Sequence, residues 1–291
     1  MPSTYEAYKK MAEAEIEKAL AGGESLPQHR LIEAMRYSLL AGGKRIRPVL
    51  VLAFCEAMGK KPETALPAAV AIEMLHTYTL IHDDLPCMDN DDLRRGKPTN
   101  HIVFGEFTAT LAGDALQAEA FATILRSGLP TEVRADCAEA LANAAGIDGV
   151  CGGQQLDMEG NGKALSEQEL TELQSRKTGS LLAAACLMGA IVGGATEKQK
   201  EAAVIYGSAI GAAFQIRDDI LDEISTSEEL GKPIGSDRRT EKTTFMSLYG
   251  REECEKRIGI ITEYAKKTVS EAFPEPSFLK NFADELSIRR S

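Results

Sequence analysis

Apolar residues recur at helical spacing along nearly the whole chain, and alternating β-branched runs are rare. Alanine, leucine and glutamate dominate the pattern. It predicts helices near 4–21, 28–40, 46–58, 62–84, 105–126, 131–146, 166–192, 197–222 and 250–271, with a short one near 277–288. Ser166 with Glu169 three residues on forms a capping box, and Thr196-Glu197 opens a long run. Gly22-Gly23, Gly42-Gly43, Gly152-Gly153, Gly160-Asn161-Gly162 and Pro274-Glu275-Pro276 mark breaks. None of these resembles a flexible linker, and low-complexity segments are missing. The expectation is one all-α domain over 1–291, built as a layered helix bundle.

The bulk numbers narrow the function more than the fold. A chain of 291 residues is long enough for one large domain with a substantial core. A net charge of −11 argues against a nucleic-acid partner. No stretch of uninterrupted apolar residues is long enough to span a bilayer. Residues 1–20 are charged and amphipathic, unlike a signal peptide, so the default location is cytoplasmic. The six cysteines, Cys55, Cys87, Cys137, Cys151, Cys186 and Cys254, lack C-x-x-C pairing and zinc-site spacing. They read as free thiols of a reducing compartment, mostly small buried hydrophobes.

Two acidic clusters carry the strongest chemical signal. The first runs Asp83-Asp84-Leu85-Pro86-Cys87-Met88-Asp89 and the second Asp218-Asp219-Ile220-Leu221-Asp222. Carboxylates this dense repel one another unless cations neutralise them. Mg²⁺ is the natural partner, held by a few carboxylates and a phosphate-bearing substrate. Asp218 and Asp222 are four apart and share a helix face, while Asp219 points about 100° away. Ile216, Ile220 and Leu221 embed these charges in an apolar stretch, which argues against a merely solvated helix end. Asp83 and Asp89 are six apart, on different faces of a continuous helix. Pro86 resolves this by ending or kinking the helix, so that Asp89 folds back toward Asp83.

A diphosphate also needs cations from the protein. Gly42-Gly43-Lys44-Arg45-Ile46-Arg47-Pro48 supplies a flexible turn, three positive charges and a helix-compatible proline. Arg94-Arg95, Lys177-Thr178-Gly179, Gly231-Lys232-Pro233 and Lys242-Thr243 add more. Any one of these alone is better read as a surface cation. Together with two acidic clusters they suggest room for two diphosphates, one metal-bound and one held by basic side chains. His76 lies seven residues before Asp83 on nearly the same helix face. A lone histidine is usually a satisfied core residue, but this position makes His76 a candidate diphosphate contact.

These motifs, in this order, resemble a trans-isoprenyl diphosphate synthase, from about Leu31 to Lys242. The stretch from Leu80 through Asp83-Asp84 to Arg94-Arg95-Gly96-Lys97-Pro98-Thr99 resembles the first aspartate-rich motif of that family. Phe214-Gln215-Ile216-Arg217-Asp218-Asp219-Ile220-Leu221-Asp222 resembles the second. Short-chain members, the farnesyl and geranylgeranyl diphosphate synthases, are nearest. The resemblance implies an isoprenoid-synthase-type helix bundle around a central cavity, a homodimer, and about three Mg²⁺ per site with Mn²⁺ as an alternative. By matching position it implies Asp83, Asp89 and Asp218 as metal ligands, with Asp84 and Asp222 at the edge or acting through water. It assigns Arg94, Lys177, Lys232 and Lys242 to the allylic diphosphate. Lys44, Arg47, His76 and Arg95 fall to isopentenyl diphosphate, and Thr178 and Gln215 beside the reacting carbons, where Lys177 also acts. The implied reaction is head-to-tail condensation of isopentenyl diphosphate with dimethylallyl or geranyl diphosphate.

Two features depart from the family pattern. Lys242-Thr243-Thr244-Phe245-Met246 lacks the usual aromatic-proline ending, which puts the local chain path in question. Arg238-Arg239 adds charge to a loop expected to close over the site. Arg289-Arg290 reads as a solvated tail rather than a cap on the cavity.

Product length turns on Tyr78, five residues and about 7.5 Å upstream of Asp83 along the helix axis. The resemblance implies that an aromatic residue here stops growth at fifteen carbons, which points to farnesyl diphosphate. Helical arithmetic places Thr79, not Tyr78, on the Asp83 face, so the ring must swing in from the flank. The alternative is a geranylgeranyl synthase working by the same mechanism. A terpene cyclase needs no second diphosphate site, and a head-to-head synthase lacks the Lys44/Arg47 loop. A non-catalytic partner subunit usually loses one aspartate cluster, and both are intact here.

Overall fold

The computed structural model describes residues 3–23, 25–224 and 242–289. Among them the chain is all-α apart from one two-stranded hairpin. In chain order the helices are α1 (Ser3–Ala19), α2 (His29–Leu39), α3 (Ile46–Ala57), α4 (Leu66–Asp83), α5 (Asn100–Phe104), α6 (Glu106–Leu125), α7 (Thr131–Ala145), α8 (Val150–Gly160), α9 (Glu167–Gln174), α10 (Ser180–Gly193), α11 (Glu197–Ile224), α12 (Phe245–Ala272) and α13 (Ser277–Ser287). The hairpin pairs β1 (Leu93–Arg94) antiparallel with β2 (Lys97–Pro98).

The bundle is organised around two almost wholly apolar helices. On α4 twelve residues from Ala68 to Ile81 are buried, and α10 is buried from Leu181 to Gly193 with few gaps. A helix apolar all round belongs in the interior. α4 lies along α6, α10 lies between α3 and α11, and α12 lies along α11. Small residues let these axes close up. At Gly189 an added Cβ would sit 2.3 Å from the Val51 carbonyl oxygen, and at Gly207 2.5 Å from Ala183 Cα. A second, smaller core of Leu170, Ala213, Ile216, Ile220, Phe245, Cys254 and Ile258 joins α9, α11 and α12.

The expected capping box at Ser166 forms, with Glu169 bonding back to the Ser166 amide. Thr196 and Gln199 cap α11 in the same reciprocal way. Four expectations need correction. The helix expected at 166–192 is interrupted by a π-helical turn, Ser175–Gly179, between α9 and α10. Gly152-Gly153 is no break but lies inside α8, which the glycines obscured. The helix expected from 250 begins at Phe245, capped by Thr244 and Ser247, with Gly250 at φ 71° inside it. Finally, Pro62–Asp83 is long and apolar enough to cross a membrane; 72% of its most apolar window is buried in this fold, as a core helix requires. The cysteines are all free; Cys55, Cys137, Cys186 and Cys254 are buried, Cys87 and Cys151 exposed.

Candidate active site

The first acidic cluster forms where α4 stops. Pro86 cannot continue the helix, and the chain doubles back so that the Asp89 amide donates to the Asp83 carbonyl at 2.9 Å. Asp89 is exposed, whereas Asp84 is buried and turned aside. Arg94 grips Asp84 through Nε at 2.7 Å and Nη2 at 2.6 Å. Burial pushes the Asp83 carboxyl up to about 6; Lys177 opposes this and Asp89 adds to it. A carboxylate held in that state lacks a full complement of positive charge.

Beside it lies a basic wall built from three segments. Arg45 occupies the left-handed region at φ 55° and is buried, pairing with buried Glu73 at 2.6 Å and donating to the Leu39 carbonyl at 2.8 Å. That internal pair fixes the turn carrying Lys44 and Arg47. The β1–β2 turn consists of Arg95 and Gly96, both at positive φ, as tight hairpins require. It separates Arg94, which faces the acidic cluster, from Arg95, which donates to the Gly42 carbonyl and lies over Gly43. Gly43 sits at φ 126°, where a side chain is strained, and an added Cβ would lie 2.8 Å from the Arg95 guanidinium carbon. Burial lowers the Arg47 guanidinium to about 10, and nearby Arg95 adds to the effect. His76 is held neutral by burial and by Arg47, Arg95, Arg94 and Arg45 around it. The residues assigned to isopentenyl diphosphate thus share one positive region. Lys44 sits at its edge, near Arg289 and Asp218.

The π-turn carries Lys177 and Thr178. Gly153 of α8 packs directly on it, where a Cβ would come within 2.3 Å of the Lys177 amide nitrogen. Single π-turns inside α-helices cluster at functional sites. Lys177 binds Asp157 of α8 at 2.6 Å, and Lys242 binds the same carboxylate at 3.1 and 3.2 Å. Burial alone would raise the Asp157 pKa, but the two lysines outweigh it and lower it. Burial likewise opposes the charge on Lys177, and Asp157, Asp83 and Asp89 together raise its pKa. Thr178 donates to the Gln215 side chain at 3.3 Å, tying the turn to α11. Asp157 was missed at the sequence level because an isolated Gln-Gln-Leu-Asp carries no spacing signal. So was Gln154, buried with neither amide atom hydrogen-bonded among the described residues.

The second cluster lies along the last turns of α11. Asp219 accepts from the Phe245 amide at 2.8 Å and from Gln215 at 3.2 Å, so it anchors the start of α12. That bond defines the chain path at 243–246, where the family's aromatic-proline ending is missing. Asp218 is paired with Arg289, whose guanidinium also lies 3.8 Å over the Phe214 ring. Arg289 is therefore no solvated tail; its side chain is only 11% exposed. Asp222 is buried, and its Oδ1 lacks a hydrogen-bond partner among the described residues.

The donor set suits Mg²⁺. It offers hard carboxylate oxygens: burial raises the pKa of both Asp83 and Asp84, and one oxygen of Asp222 is orphaned among the described residues. Among the described residues no three acidic, histidine or cysteine side chains converge as a ready-made cage. That arrangement fits ions that take one or two carboxylates and complete their shell with substrate phosphate and water. Lys232, Arg238, Arg239 and Arg290 lie outside the described residues. Tyr78 is buried on α4, its hydroxyl 3.3 Å from the Cys151 sulfur, while the Thr79 hydroxyl turns back to the His76 carbonyl at 2.8 Å.

Known proteins share this plan. The polyprenyl synthetase family profile matches residues 28–273. A farnesyl diphosphate synthase from Geobacillus stearothermophilus is 48% identical over 246 residues, 84% of this chain and 83% of the relative. A geranylgeranyl diphosphate synthase from Cyanophora paradoxa is 49% identical over 242 residues, 82% and 81% of the two chains. A crystal structure of a FPP/GFPP synthase from Zymomonas mobilis superposes with a TM-score of 0.86 at 36% identity, covering 98% of this chain and all of that one. Paired acidic clusters, a basic wall and a π-turn lysine thus sit in a fold that these synthases share, and the chain belongs to the polyprenyl synthetase family, a prenyltransferase of the trans-isoprenyl diphosphate synthase type.

Proposed function

We propose that the chain acts as one polyprenyl synthetase-like domain over 1–291, in a homodimer, and makes farnesyl diphosphate. It would condense isopentenyl diphosphate with dimethylallyl and then geranyl diphosphate, releasing pyrophosphate. The observation that carries the reading is the meeting of unlike charge: Asp83 and Asp89 face Lys177 and Arg94, beside the Arg47–His76–Arg95 wall. A cyclase has no use for that second, metal-independent cationic wall.

In this reading Asp83, Asp89 and Asp218 hold the ions, with Asp84 and Asp222 behind them. Mg²⁺ held there would supply positive charge against the allylic diphosphate. Arg94, Lys177, Lys232 and Lys242 bind the same diphosphate and stabilise the charge that grows on it as the allylic C–O bond ionises. Asp157 holds Lys177 and Lys242 fixed, so no reorganisation is needed at the moment of reaction. Lys44, Arg47, His76 and Arg95 orient isopentenyl diphosphate so that its double bond faces the allylic cation. Neutral His76 donates or accepts one hydrogen bond without adding charge to a wall already crowded with arginines. Thr178 and Gln215 present oxygen dipoles beside the cation, and the apolar helices exclude water that would quench it. The departing pyrophosphate takes the final proton, and no side-chain nucleophile is required.

Tyr78 supports a fifteen-carbon product, since its buried ring lies about 1.4 turns below Asp83 on α4. The high identity to a geranylgeranyl synthase supports the C20 alternative. One incubation decides between them: isopentenyl and dimethylallyl diphosphates with Mg²⁺, with and without chelator, followed by chain-length analysis. A dominant C15 product that chelator abolishes is expected. A C20 product would keep the reaction and overturn the length. Pyrophosphate release from the allylic substrate without condensation would overturn the synthase reading.

A further inference from the structure

Tyr78 does not stand alone at its level of the bundle. Its hydroxyl meets the Cys151 sulfur of α8 at 3.3 Å, and its ring meets the His82 imidazole edge-on at 5.4 Å and 86°. His82 is itself pinned: Nε2 lies 3.0 Å from the Thr110 carbonyl, over Gly113 of α6. A Cβ at Gly113 would come 2.1 Å from that nitrogen, so only glycine leaves room for the ring. Tyr78 is thus braced from α6 through His82 and tethered to α8 through Cys151. The tether matters because Tyr78 is off the Asp83 face of α4. A phenol on the flank blocks a channel only if something holds it across, and rotation about its first side-chain torsion would clear the path.

We propose that Cys151 is a positioning residue for product length, its thiol holding the Tyr78 ring in the blocking rotamer. The inference rests on the C15 reading of the site and names a residue that sets it. Cys151 is exposed and is the second residue of α8, so its replacement leaves the core packing intact. One methylene group more or less in an apolar pocket is discriminated only about 10- to 200-fold. Small changes in ring population therefore register in the products.

The test uses the whole enzyme with geranyl and isopentenyl diphosphates, reading the C20:C15 ratio of the parent, Cys151→Ala, Cys151→Ser, Tyr78→Phe and the Tyr78→Phe/Cys151→Ala double variant. Losing one neutral hydrogen bond shifts a rotamer population roughly 2- to 12-fold, so Cys151→Ala and Tyr78→Phe should each raise the ratio by a factor in that range. Cys151→Ser, which keeps a hydroxyl partner, should restore the parent ratio, and the double variant should go no further than either single one. Thermal midpoints of all five are measured alongside, since a merely structural role would move those and not the ratio. A parent ratio in Cys151→Ala, or additive effects in the double variant, would overturn the inference. The parent alone judges the C15 reading. If it already makes C20, that reading fails, and the tether is then judged by the C25:C20 ratio of the same variants against the parent. A parent that does not condense the two substrates overturns both.

Discussion

At the scale of single residues the site is built from groups held in uncomfortable states. Asp83 is the clearest: its ordinary carboxyl value of 3.8 is raised to about 6, chiefly by burial. Between these values the folded chain binds more protons than the unfolded one, so stability falls as pH rises through roughly 4 to 6. The Asp83 penalty is absent below that window and complete above it. Asp83→Asn should therefore stabilise the chelated protein at pH 8 by roughly 1–2 kcal/mol, with the gain shrinking to near zero by about pH 4. Urea unfolding of parent and variant at both pH values measures this difference, and other carboxylates cancel in it. The same substitution should lower turnover by about 10²- to 10³-fold, the scale of losing one stabiliser of transition-state charge. A variant less stable than the parent at pH 8 would mean that Asp83 is already compensated. Arg45 and Glu73 are the contrasting case, a buried pair that neutralises itself and serves the turn above it.

At the scale of elements the close approach of α8 to the π-turn is decisive. A methyl group at Gly153 would lie 2.3 Å from the Lys177 amide nitrogen and 2.6 Å from its Cα. Backbone cannot swing aside as a side chain can, so Gly153→Ala must displace Lys177 by something near an ångström. A misplacement of that size costs about 10²-fold in rate. The matched control is Gly259→Ala on α12, where nothing lies within 4 Å of the added carbon. That change should leave turnover alone and stabilise the helix by about 0.5–1 kcal/mol. Steady-state kinetics and thermal unfolding of the two variants separate the effects; equal turnover in both would refute the role of the π-turn. The same elements mark the limit of what was legible in the sequence. Helical periodicity sees one continuous run from 166 to 192, because a π-turn inserts a residue without disturbing apolar content. Gly152-Gly153 carries the signature of a break, yet here glycine serves contact between backbones inside α8. The Arg95-Gly96 turn was hidden too, since arginine is an unusual residue for φ 53°. By contrast Pro86, the Ser166 box and the Asp218–Asp222 spacing act through local geometry, and each could be read directly. Arg289 was misread because its partner, Asp218, is 71 residues away in sequence.

At the scale of the whole molecule one surface lacks an explanation within a single chain. On α5 and the start of α6, Ile102, Val103, Phe107 and Leu111 are 52%, 42%, 75% and 51% exposed. Phe107 and Leu111 are four apart and share one helix face, while Ala109, Ala112, Gly113 and Leu116 of the same helix are buried against the bundle. An apolar face this concentrated marks an interaction site. In a homodimer with two-fold symmetry each residue appears twice in the interface, so any change counts double. Removing one well-buried Phe contact costs about 2–3 kcal/mol. Phe107→Asp would therefore weaken self-association by roughly 4–6 kcal/mol, about 10³-fold or more. Sedimentation of the parent should show a dimer at micromolar concentration, and that of Phe107→Asp a monomer. The consequence for catalysis follows from where α6 sits: its inner face braces His82, and through it Tyr78, while its outer face is the one a partner would cover in the proposed dimer. A monomeric variant should thus lose both activity and product fidelity, with the C15 fraction falling as α6 loosens. A Phe107→Asp protein that remains dimeric would place the interface elsewhere, and one that is monomeric yet keeps a sharp C15 product would show that the site needs no partner to hold its shape.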